Sequence, residues 1–378
     1  MNVSDSPTDT GPARAIAVVL PQFHPIPEND AWWGKGFTEW RNVAQTVPQF
    51  PGHYQPHLPG ELGFYDLRLP EVRAAQASLA AEYGIGGFCY YHYWFHGHRL
   101  LSRPVDEILK SGDPDFPFCL CWANESWSRT WQSSERELLI KQEYSAADDE
   151  AHVRFLVPFL RDRRYIRVEG KPLFIVYKAD KLPEPQRTYD LWRRIAREEG
   201  VGELMLAQFE SSGDGSSVDP RKLGLDLSIE FAPNWRRLGG QYYATPKAKL
   251  AMAMGLLSKG YARHRVFDYM LMAERALSKP SPDYPFLRCV TPGFDNSARR
   301  AEGATIVVNS TPDHYGEWLR NALNWTTEHN PASRRIVFIN SWNEWAEGNH
   351  LEPDARHGRA YLEATRSALL ATGRMEAR

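Results

Sequence analysis

Short apolar runs punctuate this chain at regular intervals, with helical patterns between them. The runs are Ala15–Leu20, Ile85–Tyr91, Phe116–Trp122, Pro172–Tyr177, Leu204–Phe209, Leu225–Phe231, Leu287–Thr291 and Arg335–Asn340. Their apolar character is continuous, as in Leu173-Phe174-Ile175-Val176, and does not alternate. That is the pattern of strands buried on both faces in a parallel sheet. Between them, Val72, Ala75, Leu79 and Tyr83 form a helical stripe that stops at Gly84. Val153, Leu156, Val157 and Leu160 form a second, which Pro158 is expected to kink or split. Tyr361, Leu362, Thr365, Ala368 and Leu369 form a third after Gly358.

Eight such strands with intervening helices predict an α/β fold, a (β/α)8 TIM barrel with long loops at its C-terminal face. The rival is an open doubly wound sheet. It is weakened because Pro21-Gln22-Phe23-His24-Pro25, and no glycine-rich phosphate loop, follows the first run. The domain plan is a tail over residues 1–14 and one catalytic barrel over 15–373. Insertions at about 23–70 and 234–285 interrupt the barrel, and both are expected above the C-terminal face.

In a barrel, chemistry collects where strands finish. The residues there are Gln22 and His24 after the first run and Tyr91, His92, Tyr93 and Trp94 after the second. The third run ends at Trp122, Asn124 and Glu125, and the fourth at Tyr177. Then come Gln208, Glu230, Asp295 and finally Ser341-Trp342-Asn343-Glu344-Trp345-Ala346-Glu347-Gly348. Two carboxylates three residues apart, set among tryptophans, match what glycosidic-bond chemistry needs: a proton donor, a base or nucleophile, and flat surfaces for sugar rings. The plain alternative is a strand-terminal turn whose glutamates pair with arginines.

Composition sharpens this picture. The 378 residues include 13 Trp, 17 Tyr and 17 Phe, many beside His, Asn and Glu, as an aromatic-lined groove would require. A net charge of −2 gives no reason to expect nucleic-acid or anionic-membrane partners. The N-terminus shows no secretory signal, and no apolar run approaches the ~20 residues that span a bilayer. A cytoplasmic location without membrane insertion is therefore expected. The four cysteines fall inside apolar strands and read as small buried hydrophobes.

Other chemistries find less support. His92, His96 and His98 lack the spacing of helical or Cys/His metal sites, so no metal and no cofactor is expected. No Gly-x-Ser-x-Gly elbow is present. Asp113-Pro114-Asp115 has the Asp-x-Asp form that holds a metal–diphosphate in some glycosyltransferases, but it precedes a strand and reads as a turn.

Taken together, several motifs resemble the WbsX-type family. They are Leu20-Pro21-Gln22-Phe23-His24-Pro25, Trp32-Trp33-Gly34-Lys35-Gly36-Phe37-Thr38-Glu39-Trp40, Tyr54-Gln55-Pro56-His57, Gly86-Gly87-Phe88-Cys89-Tyr90-Tyr91-His92-Tyr93-Trp94, Trp122-Ala123-Asn124-Glu125 and Trp342–Gly348. The family carries a glycosyltransferase label, yet its sequences are similar to glycoside hydrolase family 99, the endo-α-mannosidases and endo-mannanases. The resemblance implies a retaining, endo-acting enzyme that cleaves a bacterial surface polysaccharide or its precursor without a carboxylate nucleophile. On that reading Glu344 removes the proton of the sugar 2-hydroxyl, and Glu347 protonates the leaving oxygen. Ala346 departs from the hydrolase pattern, where family 99 enzymes carry His, which bears on the sugar accepted. Trp33, Glu39, Trp40 and His57 join the strand-end residues as expected substrate contacts, with Trp342, Asn343 and Trp345 beside the catalytic pair.

The residues alone leave alternatives open. Glu125 opposite Glu344 would make a conventional pair, with a separation of ~5 Å for retention and ~6.5–9.5 Å for inversion. Transfer to another sugar in O-antigen or capsule synthesis would use the same residues. A noncatalytic carbohydrate-binding protein would need the aromatics but not two spaced acids.

Overall fold

The apolar runs become strands because both of their faces are covered, by the barrel interior and by a layer of helices. In the computed structural model, which describes residues 12–129, 137–211, 218–241 and 243–373, eight parallel strands close on themselves. They are β1 (Arg14–Val19), β2 (Ile85–Phe95), β3 (Phe118–Trp122), β4 (Lys171–Val176), β5 (Met205–Phe209), β6 (Leu227–Ile229), β7 (Phe286–Val290) and β8 (Ile336–Ile339). Hydrogen bonds run from β1 to β8 and on down in number to β2, which pairs back onto β1. The fold is a (β/α)8 barrel. All four cysteines are buried free thiols.

The longer helices are α1 (Pro70–Glu82), α2 (Arg103–Ser111), α3 (Ala146–Arg161), α4 (Pro185–Glu198), α5 (Tyr269–Leu277), α6 (Pro312–His329) and α7 (Ala360–Ala371). None of the described helices is long and apolar enough to cross a membrane. Pro158 neither splits α3 nor ends it: the helix runs unbroken from Ala146 to Arg161. The proline falls in the last turns, so few residues lie beyond the hydrogen bond it removes. The strand β1 begins inside the expected tail, at Arg14, and Met1–Gly11 lie outside the described residues.

Strand alternation sorts the second strand end. Successive side chains of a strand point to opposite sides. His92 and Trp94 face the helices, where the Trp94 ring stacks on His152 of α3 at 4.7 Å and its Nε1 donates to Asp148 at 2.9 Å. Trp122 joins the same layer, edge-on to His152 and beside Trp192 of α4, with its Nε1 donating to the Trp94 carbonyl. The intervening Tyr91 and Tyr93 face the barrel mouth instead.

Both insertions add to the C-terminal side. The first carries two short helices, Pro27–Trp33 and Glu39–Gln45. In the second, a strand over Arg265–Asp268 leads directly into the helix α5. Arg265–Asp268 pairs in parallel with Thr305–Val308 before α5 begins. The partner strand is far along the chain, so no local pattern could reveal it. Phe50, Val266, Ala304 and Ile306 form a small second core that joins the two insertions.

Because Trp122 fills the interlayer space and does not reach the mouth, Trp122→Ala should lower unfolding free energy by about 3–5 kcal/mol. Equilibrium denaturation measures this. A loss under about 1 kcal/mol would mean that the ring is not part of the core.

Candidate active site

The loop after β8 is built to hold its backbone still. Asn343 Nδ2 donates to the Leu20 carbonyl at 3.0 Å while its Oδ1 accepts from the Leu20 amide at 2.7 Å, tying the loop to the end of β1. Ser341 Oγ accepts from the Glu344 amide at 2.9 Å and donates to the Asn349 carbonyl at 2.7 Å. Asn343–Glu344 then pairs antiparallel with Asn349–His350. The turn closes at Gly348, whose φ of 53° is left-handed, and an added Cβ there would lie 3.1 Å from Asp295 Cβ. Glycine is the residue that this turn and this close approach require.

The hairpin presents Glu344 and Glu347 to a cleft of about 370 Å³. Arg299, from the turn after β7, reaches both: Nη2 to Glu344 Oε2 at 3.0 Å and Nη1 to Glu347 Oε1 at 2.6 Å. Its Nε also lies 3.3 Å from Glu39 Oε2, at the start of the helix Glu39–Gln45. Three carboxylates thus share one guanidinium. Burial works against the charge of Arg299, but the glutamates hold its pKa well above the ordinary value. The Glu344 carboxyl is pushed up to about 8, chiefly by burial and further by Glu347 and Glu39, against the pull of Arg299. Its side chain is 10% exposed and that of Glu347 is 24% exposed, so Glu347 is the more accessible acid.

Around these groups the cleft is lined by Trp33, Tyr91, Tyr93, Glu125, Trp127 and Tyr177, with Gln22, Phe231 and Asn340 at its floor and sides. Glu125 stands 3.8 Å from Lys178 Nζ. Glu125 and Glu344 therefore share one cleft on the same face of the barrel.

Many of the expected contacts lie elsewhere. Trp94, Trp122, Trp342 and Trp345 are buried and line no part of the cleft, so none offers a free face to a sugar. Trp342 packs on Phe88, and Trp345 stacks on His350 and donates to Glu352 at 2.7 Å. Trp40 is core too, with its Nε1 on the Tyr65 carbonyl. His92 is turned toward the helices, 3.0 Å from His152. His24 is buried, with burial pushing its pKa down to about 4, and also lies outside the cleft lining. Gln208 bonds Ser228, and Glu230 lies against Arg288 inside the wall. Asn124 brackets the Lys178 backbone at the β3–β4 junction, and Asn343 braces the loop. His57 and Asp295 line a separate cavity behind the hairpin.

The sequence reading missed Arg299 and Trp127. Three glutamates converging on an apolar barrel mouth require a buried cation, and that requirement was the available signal for Arg299. Trp127 stands two residues beyond the Trp122–Glu125 motif, and the paired strands Trp127–Arg129 and Glu137–Ile140 turn it to the cleft.

A family model described as glycosyltransferase WbsX matches residues 15–365. The chain belongs to the WbsX family. Two curated relatives named uncharacterized protein WxcX, from Xanthomonas campestris pv. campestris strains B100 and ATCC 33913, are 46% and 45% identical over 361 residues. The match covers 96% of this chain, and the chain spans about half the length of those relatives. Among solved structures, a glycoside hydrolase-like protein aligns with a TM-score of 0.57 at 12% identity, covering 97% of each chain. A GH99 endo-α-mannosidase from Bacteroides thetaiotaomicron aligns with a TM-score of 0.52 at 13% identity, covering 95% of this chain and 97% of that one. At such identities the structural likeness establishes the barrel fold.

The raised Glu344 pKa has a consequence for stability. Unfolded, this carboxyl ionises near 4.5; folded, it keeps its proton up to about 8. The stability linked to that proton is fully present below about 4.5 and is lost as pH rises through about 8. Glu344→Gln cannot ionise, so its melting temperature relative to the parent should climb between about pH 5 and pH 8. A pH-independent gap in thermal melts would show that Glu344 has an ordinary pKa.

Proposed function

We propose that this barrel cleaves glycosidic bonds of a bacterial surface polysaccharide or its oligosaccharide precursor, acting within the chain and retaining anomeric configuration. The observation that carries this reading is the pair Glu344 and Glu347 held on one guanidinium in an aromatic-lined cleft. A protein that only binds sugar has no use for two acids forced together at the expense of stability.

In the proposed reaction Glu344 takes the proton of the sugar 2-hydroxyl as that oxygen closes onto the anomeric carbon. The glycosidic bond breaks, and the leaving oxygen takes the proton of Glu347. Glu347 then accepts a proton from water as the water opens the anhydro ring, and Glu344 returns its proton to the 2-oxygen. Two inversions at the anomeric carbon give net retention. The depth of Glu344 raises its basicity, which suits removal of a weakly acidic hydroxyl. The accessibility of Glu347 suits exchange with leaving group and water. Trp33, Trp127, Tyr91, Tyr93 and Tyr177 supply the faces and hydroxyls that hold the ring.

The family description supports a second reading, transfer of the glycosyl group to another sugar in place of water. The same pair would serve, with the acceptor hydroxyl activated by Glu347. A nucleotide-sugar donor fits less well: Asp113-Pro114-Asp115 lies before β3, at the opposite end of the barrel from the cleft, and Asp115 pairs with Arg163 at 2.9 Å.

General acid catalysis is worth about 10²–10⁴-fold, so Glu347→Gln should lose that much on a natural linkage and far less on an activated aryl glycoside. Glu344→Gln should impair both equally. Rapid turnover of a 2-deoxy substrate by the parent enzyme would exclude the anhydro-sugar route.

The pH profile tests the shared proton. The proposed step needs the pair to hold one proton, on Glu347 with Glu344 ionised, so kcat/KM should fall as pH rises through about 8, where the pair loses that proton. Activity on a natural linkage that keeps rising above that pH would show that the leaving oxygen needs no proton from the pair.

A further inference from the structure

Behind the catalytic hairpin lies a second cavity of about 310 Å³, and three of its lining side chains converge. His57 comes from the first insertion, His350 from the returning strand of the hairpin, and Asp354 from the segment that follows it. One donor atom from each can be chosen so that all lie within 4.8 Å of one another. We propose that His57, His350 and Asp354 form a binding site for a divalent transition metal of the zinc class, separate from the catalytic cleft.

The internal hydrogen bonding of the trio supports metal ligation. His350 Nδ1 lies 3.0 Å from the Glu352 carbonyl, an acceptor, so this nitrogen carries the proton and Nε2 carries the lone pair. A backbone carbonyl orienting the far nitrogen of an imidazole is the arrangement that metal-ligating histidines use. That Nε2 faces His57 Nδ1 at 2.9 Å and Asp354 Oδ2 at 3.9 Å. The longer spacing is too great for a hydrogen bond, but it suits two ligands of one ion with bonds of about 2.0–2.2 Å. Asp354 Oδ1 accepts from the amides of Arg356 and His357, and Oδ2 is the oxygen turned toward His350 Nε2.

Two imidazoles and one carboxylate, with the adjoining cavity open to a water molecule in the fourth position, form a donor set that suits Zn²⁺ better than Mg²⁺ or Ca²⁺. The site also sits where it would matter. His350 is directly cross-strand from Asn343 and stacks on Trp345 at 3.8 Å. An ion there would tie the first insertion to the strand that carries Glu344. The competing account is a bare hydrogen bond between His57 and His350, with no ion.

Chelator-stripped full chain titrated with Co²⁺ tests the proposal independently of the reaction proposed above. The expected result is one equivalent of Co²⁺, visible absorption of a nitrogen/oxygen-ligated ion, displacement by Zn²⁺, and a higher melting temperature with Zn²⁺. His57→Ala and Asp354→Asn should each weaken binding at least tenfold. Glu344→Gln should leave binding unchanged, because its carboxylate belongs to the other cavity. Should Asp354→Asn fail to fold, His57→Gln, on the less buried ligand, gives the same reading. Affinity weaker than millimolar, binding that survives the His57 and His350 substitutions, or binding lost in Glu344→Gln would each overturn it.

Discussion

Carboxylates buried at the mouth of an apolar barrel repel each other and resist desolvation unless a cation lies among them. Arg299 is that cation for Glu39, Glu344 and Glu347, and it joins three separate parts of the chain. Glu39 belongs to the first insertion, Arg299 to the turn after β7, and the other two to the loop after β8. The guanidinium fork fixes direction as well as charge, because each nitrogen meets a different carboxylate. Burial, together with the excess negative charge of three acids on one base, pushes the Glu344 carboxyl up to about 8.

A second layer of bonds keeps this cluster in register. The Glu352 carboxylate is buried beneath the hairpin and accepts from Tyr65, Gln76 and Trp345, and burial pushes its pKa up to about 7. Asn343 and Asn349 bind backbone on both sides of the same loop. The tryptophans of the Trp342–Gly348 motif therefore act as anchors: their rings are buried so that the glutamates between them are not. The aromatic residues that line the cleft are instead Trp33, Trp127 and three tyrosines.

Much of the architecture was legible in the chain. All eight apolar runs became barrel strands, because parallel strands must be covered on both faces and so lose the polar alternation that other strands show. The spacing of Glu344 and Glu347 after the last run likewise located the acid pair on one short loop. Which aromatics would be exposed was far less legible. Tyr91, His92, Tyr93 and Trp94 are adjacent and all suited to sugar contact, but a strand sends alternate residues to opposite sides.

By itself, then, the sequence determined the strand count, the closed parallel fold and the strand ends that carry acids. These follow from local periodicity and from the burial that each run demands. Tertiary structure alone decided which residues meet. Glu230 stands at a strand end like Glu344, yet it turns into the wall against Arg288. Arg299 lies 45 residues from Glu344 and bonds it directly. His57 and His350 are 293 residues apart and adjacent in space. No periodicity records such pairings, because they depend on how long-range loops fold back over the barrel mouth, where charge balance and packing choose the partners.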